Sequence, residues 1–170
     1  RDMFISLPGL TLAIDEKAKY EEMMTTASKA IRNFINDEPD NLKIYEMEHP
    51  DVLLWAVWCI QQYAKMVSKE ECIEKYGALL AEIMEYLCNE NHPNLFLHGN
   101  GLLYTNGHDR AVTWMNSTAN GRPVIPRTGY VVEINALWYN ALCFVADLLG
   151  KEEYKELAEK TGVSFIDTFL

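Results

Sequence analysis

The sequence lacks several of the signatures that would identify a protein class at once. It has only four cysteines in 170 residues and no Cys-x-x-Cys pair, so neither a disulfide framework nor a thiol-based zinc site is indicated. The first residues show no basic segment followed by an apolar one, and no apolar run approaches the length of a membrane span. We therefore expect a soluble, cytoplasmic protein with buried free thiols and no membrane partner.

Positive charge is also scarce. Fifteen Lys and Arg residues stand against 25 Asp and Glu residues, giving a formal net charge of −10, which repels phosphate backbones and anionic lipid at long range. This balance argues against nucleic acid as a partner. A neutral, polyhydroxylated ligand is indifferent to it, and the 11% of aromatic residues supply rings on which the apolar faces of sugars can rest.

The histidines, the most frequent metal ligands in proteins, also lack the spacing of a metal site. His49, His92, His98 and His108 show no spacing typical of a zinc site. We expect all four to be surface residues of loops, with no metal and no cofactor.

Apolar residues recur at helical spacing in six segments. Asp15 is predicted to cap the second segment, Ser68 and Glu71 form a capping box before the fourth, and Gly150 ends the fifth. The predicted helical segments are residues 3–13, which read as the end of a helix, then about 16–35, 51–67, 69–89, 133–149 and 152–169.

The apolar character of these helices alternates along the chain. Segments 51–67 and 133–149 are apolar on most sides, whereas 69–89 and 152–169 are apolar on one side only. Two concentric rings of helices need this alternation, because inner helices are covered on both sides and outer ones on one. An open arc of three hairpins would expose the flanks of its inner helices, so we expect either a missing half or self-association.

The connection from about residue 90 to 132 is too long for an ordinary loop, and connections of this length are usually functional or disordered. Asn-Gly pairs at residues 100, 106 and 120 are typical of tight turns, and apolar residues lie between them. We predict an ordered segment with short strands.

Three blocks in and after this connection carry a family resemblance. They are Thr113-Trp114-Met115-Asn116, Pro126-Arg127 and the run from Val132 to Asn140. In this order they resemble the C-terminal glucosidase domain of glycogen debranching enzymes, and the segments Arg1 to Leu10 and Asp51 to Trp55 extend the similarity over nearly the whole chain. The resemblance implies an all-α fold, an (α/α)6 toroid of helical hairpins. Residues 1–170 would form a partial six-hairpin glycoside hydrolase domain, about half of the barrel.

The implied activity is that of an amylo-alpha-1,6-glucosidase, which removes α-1,6-linked glucose from glycogen branch stubs. Inversion needs one carboxylic acid to protonate the glycosidic oxygen and a second carboxylate to activate water. Asn116 stands where the family has its acidic Asp, and an amide cannot donate that proton. The family's second carboxylate lies beyond the region that this chain covers, so the chain alone is expected to be inactive.

Two interpretations therefore stay open. The first is a glycoside hydrolase module acting on glycogen or another α-glucan oligosaccharide. The alternative is a catalytically inactive carbohydrate-binding or regulatory pseudoenzyme, which Asn116 favours. Should the acid lie elsewhere, Glu133 is the next candidate. A helical scaffold for protein partners is a third class, disfavoured by the polar and aromatic residues of the long connection.

The resemblance also suggests sugar-binding residues in the first third of the chain. Arg1 and Asp2 resemble residues that bind the hydroxyl groups of the terminal glucose, with a solvated chain end as the alternative. Asp51 is either a sugar ligand or the N-cap of the helix that follows. Trp55, on an apolar helix, is either a stacking ring or a core residue.

The long connection contributes two further candidates. Trp114 can offer a stacking face for a sugar, since it lies in the connection and outside the predicted helices. Arg127 can reach a sugar hydroxyl or hold a carboxylate such as that of Glu133, whose place at a helix N-terminus is electrostatically favourable.

Overall fold

The computed structural model describes residues 1–37 and 47–170, which are mostly helical. This confirms the predicted all-α class. A short 3-10 helix, Leu12–Ile14, follows the first α-helix, and short strands lie between the fourth and the fifth. The six α-helices of the described residues are α1 Asp2–Leu10, α2 Lys17–Ile35, α3 Val52–Met66, α4 Lys69–Cys88, α5 Val132–Leu149 and α6 Glu152–Phe169.

Helices α1, α3 and α5 form an inner layer and run parallel. Arg1, just before α1, pairs with Asp51, just before α3, so these two helices begin at the same end. Further along, Gln61 of α3 and Asn140 of α5 exchange two amide hydrogen bonds of 3.2 and 3.1 Å. Lys69, three residues after α3 ends, pairs with Asp147 near the end of α5 at 2.8 Å, so α3 and α5 also end together and begin at the same end.

The remaining helices form a second layer behind the first. Tyr20 of α2 donates a hydrogen bond of 3.0 Å to the Cys59 carbonyl of α3, and α4 packs against α2, α3 and α5. Ten of the 15 residues of α3 are buried and eight of the 18 in α5, against two of 18 in α6. With nine of its 20 residues buried, α4 is also less buried than α3, so the predicted contrast is confirmed within each hairpin, and the layers form an arc of the kind found in an α/α toroid.

Local sequence patterns predict some helix ends correctly and others incorrectly. Gly150 ends α5 in the left-handed conformation at φ 65°, as predicted. The Ser68 hydroxyl accepts from the Glu71 amide at 3.2 Å, but the Glu71 carboxylate bonds to Lys17 instead of closing the capping box. The prediction that Asp15 caps α2 is wrong. Asp15 has φ 61° and ends the 3-10 helix, and Glu16 occupies the N-cap position.

The long connection is ordered and carries the predicted strands. Strands β1 (Leu95–Leu97), β2 (Leu103–Thr105) and β5 (Gly129–Tyr130) form an antiparallel sheet in the order β1-β2-β5. Strands β3 (Thr118–Ala119) and β4 (Arg122–Pro123) form a hairpin. Its turn is Asn120-Gly121, with φ 52° and 75°, which is the left-handed pair that the Asn-Gly sequence predicts.

Helices α5 and α6 hold the turn between β1 and β2 in place. The Gly101 carbonyl accepts hydrogen bonds from Trp138 Nε1 at 3.1 Å and from the Thr161 hydroxyl at 2.9 Å. The Ser164 hydroxyl donates to the Asn100 carbonyl at 2.7 Å. The connection is therefore anchored to α5 and α6 at its first turn.

Two sequence-based expectations about burial need correction. All four cysteines are free, but only Cys59 and Cys72 are buried, while Cys88 is half-buried and Cys143 is exposed. Cys143 lies on the side of α5 next to α6, where it lines a groove together with Lys155 and Glu159. Helix α5 is also long and apolar enough to cross a membrane, contrary to the expectation that no segment reaches that length, although its hydropathic window is 44% buried inside the protein. That composition is shared by core helices of soluble proteins, and α5 packs between α3 and α6.

Candidate functional site

The N-terminal ends of the three inner helices define one end of the arc, which we call the mouth. Helix N-termini carry a partial positive charge and unpaired amide groups, so polar ligands and carboxylates are favoured there. Seven of the residues singled out from the sequence lie at or beside these helix ends, since Asp2 and Trp55 are in the first turns of α1 and α3, and five of the seven form side-chain contacts there. They are Arg1, Asp51, Trp114, Arg127 and Glu133.

Arg1 and Asp51 form a buried, bidentate ion pair. The guanidinium donates from Nε to Oδ2 at 2.5 Å and from Nη2 to Oδ1 at 2.9 Å, and both residues are less than one-tenth exposed. Arg1 Nη2 also lies 3.2 Å from His49 Nδ1. Arg1 is therefore not a solvated chain end. Asp51 does occupy the N-cap position of α3, but its side chain makes no capping hydrogen bond and is held by Arg1 instead.

A histidine holds the segment that leads to Asp51. His92 Nε2 lies 3.3 Å from the Met47 carbonyl, and its Nδ1 accepts from the Asn94 amide at 3.1 Å. The Asn94 side chain donates to the Glu48 carbonyl at 2.8 Å. Burial lowers the pKa of His92 to about 4, so the ring is neutral at pH 7. The expectation of a surface histidine is wrong here because backbone partners satisfy both ring nitrogens.

Glu133 is held by two side chains in the first turn of α5. Arg127 Nη2 forms an ion pair with Glu133 Oε1, and Trp114 Nε1 donates to the same oxygen at 3.1 Å. Arg127 Nη1 also approaches Met115 Sδ at 3.0 Å. In this ion pair Glu133 is a carboxylate, which accepts hydrogen bonds and donates none. Its contacts suit a positioned acceptor better than a proton donor.

The segment that carries Trp114 and Asn116 is fixed at its base. Thr113 is buried, and its hydroxyl accepts a hydrogen bond from the Met115 amide at 3.2 Å. Trp114 then points outward with 59% of its surface exposed. Asn116 is exposed and follows two residues later, at most about 7 Å along the backbone from Trp114.

Two candidates are not gathered into either cluster. Asp2 is exposed in the first turn of α1. Trp55 is half-buried, packs against the hydrophobic core and contacts Trp58 edge-on at a centroid distance of 5.5 Å, so it has the contacts of a core residue. The sequence missed His49 and Met115 as members of these clusters, because nothing local indicates that they face Arg1 and Arg127.

The described residues contain no three His, Cys, Asp or Glu side chains close enough to hold a metal ion. What the mouth offers instead is an exposed indole ring, a fixed carboxylate, an exposed amide and guanidinium groups held by carboxylates. Rings and paired hydrogen-bonding groups of this kind suit a ligand that alternates apolar faces with hydroxyl edges.

Comparison with known proteins gives one result. No curated protein and no solved structure matches the chain. The sequence model of the family described as Amylo-alpha-1,6-glucosidase matches residues 1–170, which is the whole chain. The matched range includes both clusters at the mouth, and the chain therefore belongs to the amylo-alpha-1,6-glucosidase family.

Proposed function

We propose that this chain belongs to a glycoside hydrolase module that binds the terminal glucose of an α-1,6-branched glucan, and that the complete module hydrolyses this linkage with inversion. The observation that carries the proposal is the contact between Trp114 and Glu133 at the mouth. An exposed ring held beside a fixed carboxylate provides a surface for the apolar face of a sugar and an acceptor for its hydroxyls. Family membership supplies the substrate class.

Inverting hydrolysis needs a general acid and a general base on opposite faces of the sugar. Glu133 is engaged by Arg127, and Asn116 has an amide that can hold a hydroxyl but cannot protonate a leaving oxygen. We therefore propose that the chain by itself binds sugar and does not cleave it. In a protein that also carries the second carboxylate, the Asn116→Asp variant should raise glucose release on the order of 10²- to 10⁴-fold.

A second candidate function follows from the same residue. If the module is a binding or regulatory pseudoenzyme, it retains the glucose pocket but lacks the general acid, because Asn116 stands in the acid's place. Glucose release by the unmodified complete module decides between the two, because a pseudoenzyme releases none. If the module does release glucose and the Asn116→Asp variant leaves the rate unchanged, the general acid lies elsewhere and Glu133 becomes the next candidate.

Sugar binding itself is tested by calorimetric titration of the 170-residue chain with glucose, isomaltose and maltose. We expect α-1,6-linked isomaltose to bind, and the Trp114→Ala variant to bind it several-fold more weakly because the stacking ring is lost. Val124→Ala is the matched control, since Val124 is 58% exposed in the same connection and lies outside the two clusters. Equal affinity of the Trp114→Ala variant and the unmodified chain would contradict the proposed site.

We also propose that the chain self-associates through the two edges of the arc. Leu10 and Met23 are 68% and 43% exposed beside one edge, and Val132 and Tyr139 are 49% and 43% exposed on the flank of α5. Exposed apolar residues grouped in this way are typical of interaction surfaces. Light scattering should give a mass above the monomer's 19.5 kDa, and a stable monomer at high concentration would contradict this proposal.

A further inference from the structure

An aromatic row crosses the outer face of the three-stranded sheet. Phe96, Tyr104 and Tyr130 are directly opposite one another across β1, β2 and β5. Successive residues of a strand point to opposite faces, and Leu95 and Leu103 are buried against α4 and α5, so the row faces outward. All three rings are half-buried and lie outside the core cluster of the described residues.

The rings are held in a fixed arrangement by His98. Its ring stacks on Tyr104 at a centroid distance of 5.1 Å and an interplanar angle of 16°. Its Nδ1 lies 2.7 Å from the Tyr130 hydroxyl, which also accepts from Asn100 Nδ2 at 3.3 Å. His98 is exposed, so its outer ring face is open while its inner face is supported.

The sheet is continuous with the site at the mouth. Strand β5 lies between Arg127 and Glu133 in the chain, and the Thr105 hydroxyl of β2 donates to the Arg127 and Gly129 carbonyls at 2.8 and 3.1 Å. Tyr130 is three residues from Glu133, which spans at most about 10 Å. The aromatic row and the site at the mouth are therefore neighbours, joined through β5.

We propose that His98, Tyr104 and Tyr130 form a platform that binds the glucan chain beyond the terminal glucose. The assignment of the ligand class rests on the proposed function. The row itself carries no acidic or basic side chain other than the imidazole, and its polar groups are a ring nitrogen, a phenol hydroxyl and a carboxamide at the ring edges. Such a surface suits a neutral chain of sugar rings, which stack on aromatic faces and exchange hydrogen bonds at their edges.

Titration with glucose and with a linear maltohexaose tests the platform. The unmodified chain should bind maltohexaose more tightly than glucose, and His98→Ala should weaken maltohexaose by between about twofold and tenfold while glucose is unchanged. His108→Ala is the matched control, because His108 is an exposed histidine of the same connection. Tyr130→Phe, which keeps the ring and removes the hydroxyl, gives a second variant with little risk to folding.

The outcomes separate the platform from the proposed function. The platform assignment is contradicted if glucose and maltohexaose bind with equal affinity. It is also contradicted if neither His98→Ala nor Tyr130→Phe weakens the binding of maltohexaose. If maltohexaose binding depends on His98 but no sugar responds to Trp114→Ala, the platform stands and the proposed site at the mouth fails. If no sugar binds at all, both assignments fail.

Discussion

The buried imidazole of His92 should make the stability of the fold fall as the pH drops below 6.5. Burial lowers the pKa of this ring from 6.5 to about 4, against the opposing effect of the Met47 carbonyl. Because the folded pKa is the lower one, the unfolded chain binds the proton first. The contribution of His92 is therefore complete above pH 6.5, and it is lost progressively as the pH falls to about 4.

The size of this effect follows from the two pKa values. A shift of one unit corresponds to about 1.4 kcal/mol, so the loss relative to pH 7.5 is about 2 kcal/mol at pH 5 and about 3 kcal/mol at pH 4. Protonated His92 would place a second N–H against the Asn94 amide, which is now bonded to Nδ1. That contact changes from attractive to repulsive, and the segment before α3 loosens.

Urea denaturation at pH 7.5 and pH 5 measures the effect. The difference in free energy of unfolding between the two pH values should shrink by about 2 kcal/mol in the His92→Gln variant, which cannot titrate. In the matched His108→Gln variant, the difference in free energy of unfolding between the two pH values should equal that of the unmodified chain, since His108 is exposed. An equal pH dependence of the His92→Gln variant and the unmodified chain would refute the reasoning.

Three further predictions concern stability and reactivity. Gly101→Ala should lower the free energy of unfolding by about 1–3 kcal/mol in urea denaturation, because Gly101 has φ 86° and its added Cβ would meet α6 at 2.9 Å. Gly99→Ala should be tolerated, since nothing lies within 4 Å of a Cβ at Gly99. In the folded protein, Cys143 should be the first thiol to react with a disulfide reagent, and rapid labelling of all four would contradict the burial pattern. Asp51→Ala should cost about 3 kcal/mol because it removes one partner of a buried, bidentate ion pair, and a loss below 1 kcal/mol would show that the pair is not buried in solution.

The parts of the fold that the sequence predicted are those set by local patterns. Apolar residues on most sides of 51–67 and 133–149 identified the inner helices, because burial on both sides leaves no polar face. Gly150 and the Asn120-Gly121 turn were predicted for a similar reason, since their left-handed backbone depends on the residue itself.

Contacts between distant segments escaped prediction. Arg1 and Asp51 are 50 residues apart, and nothing in either segment indicates that one neutralises the other. Burial of His92 likewise depends on the backbone of Met47, a partner 45 residues away. Asp15 shows the same limit over a shorter distance. It ends the 3-10 helix that precedes α2 and therefore does not cap α2.

Within the candidate site, the resemblance pointed to Trp114, Arg127 and Glu133, and the structure brings these three together. It could not indicate the aromatic row, since the alternation in Leu-Phe-Leu and Leu-Tyr-Thr is legible only once the strands are paired. The roles of all these residues in binding sugar stay predictions.

The anchoring of the Asn100-Gly101 turn by α6 has a consequence for the order in which the protein matures on the ribosome. Thr161 and Ser164 lie 60 and 64 residues after their partners in the chain, so until α6 has been synthesised and has docked the turn is anchored only by Trp138 of α5. Closing such a loop carries an entropy cost that local helix formation does not. We therefore expect a nascent chain that ends before α6 to hold its inner helices while this turn is only partly anchored, so that the proposed platform reaches its final geometry only with the last helix.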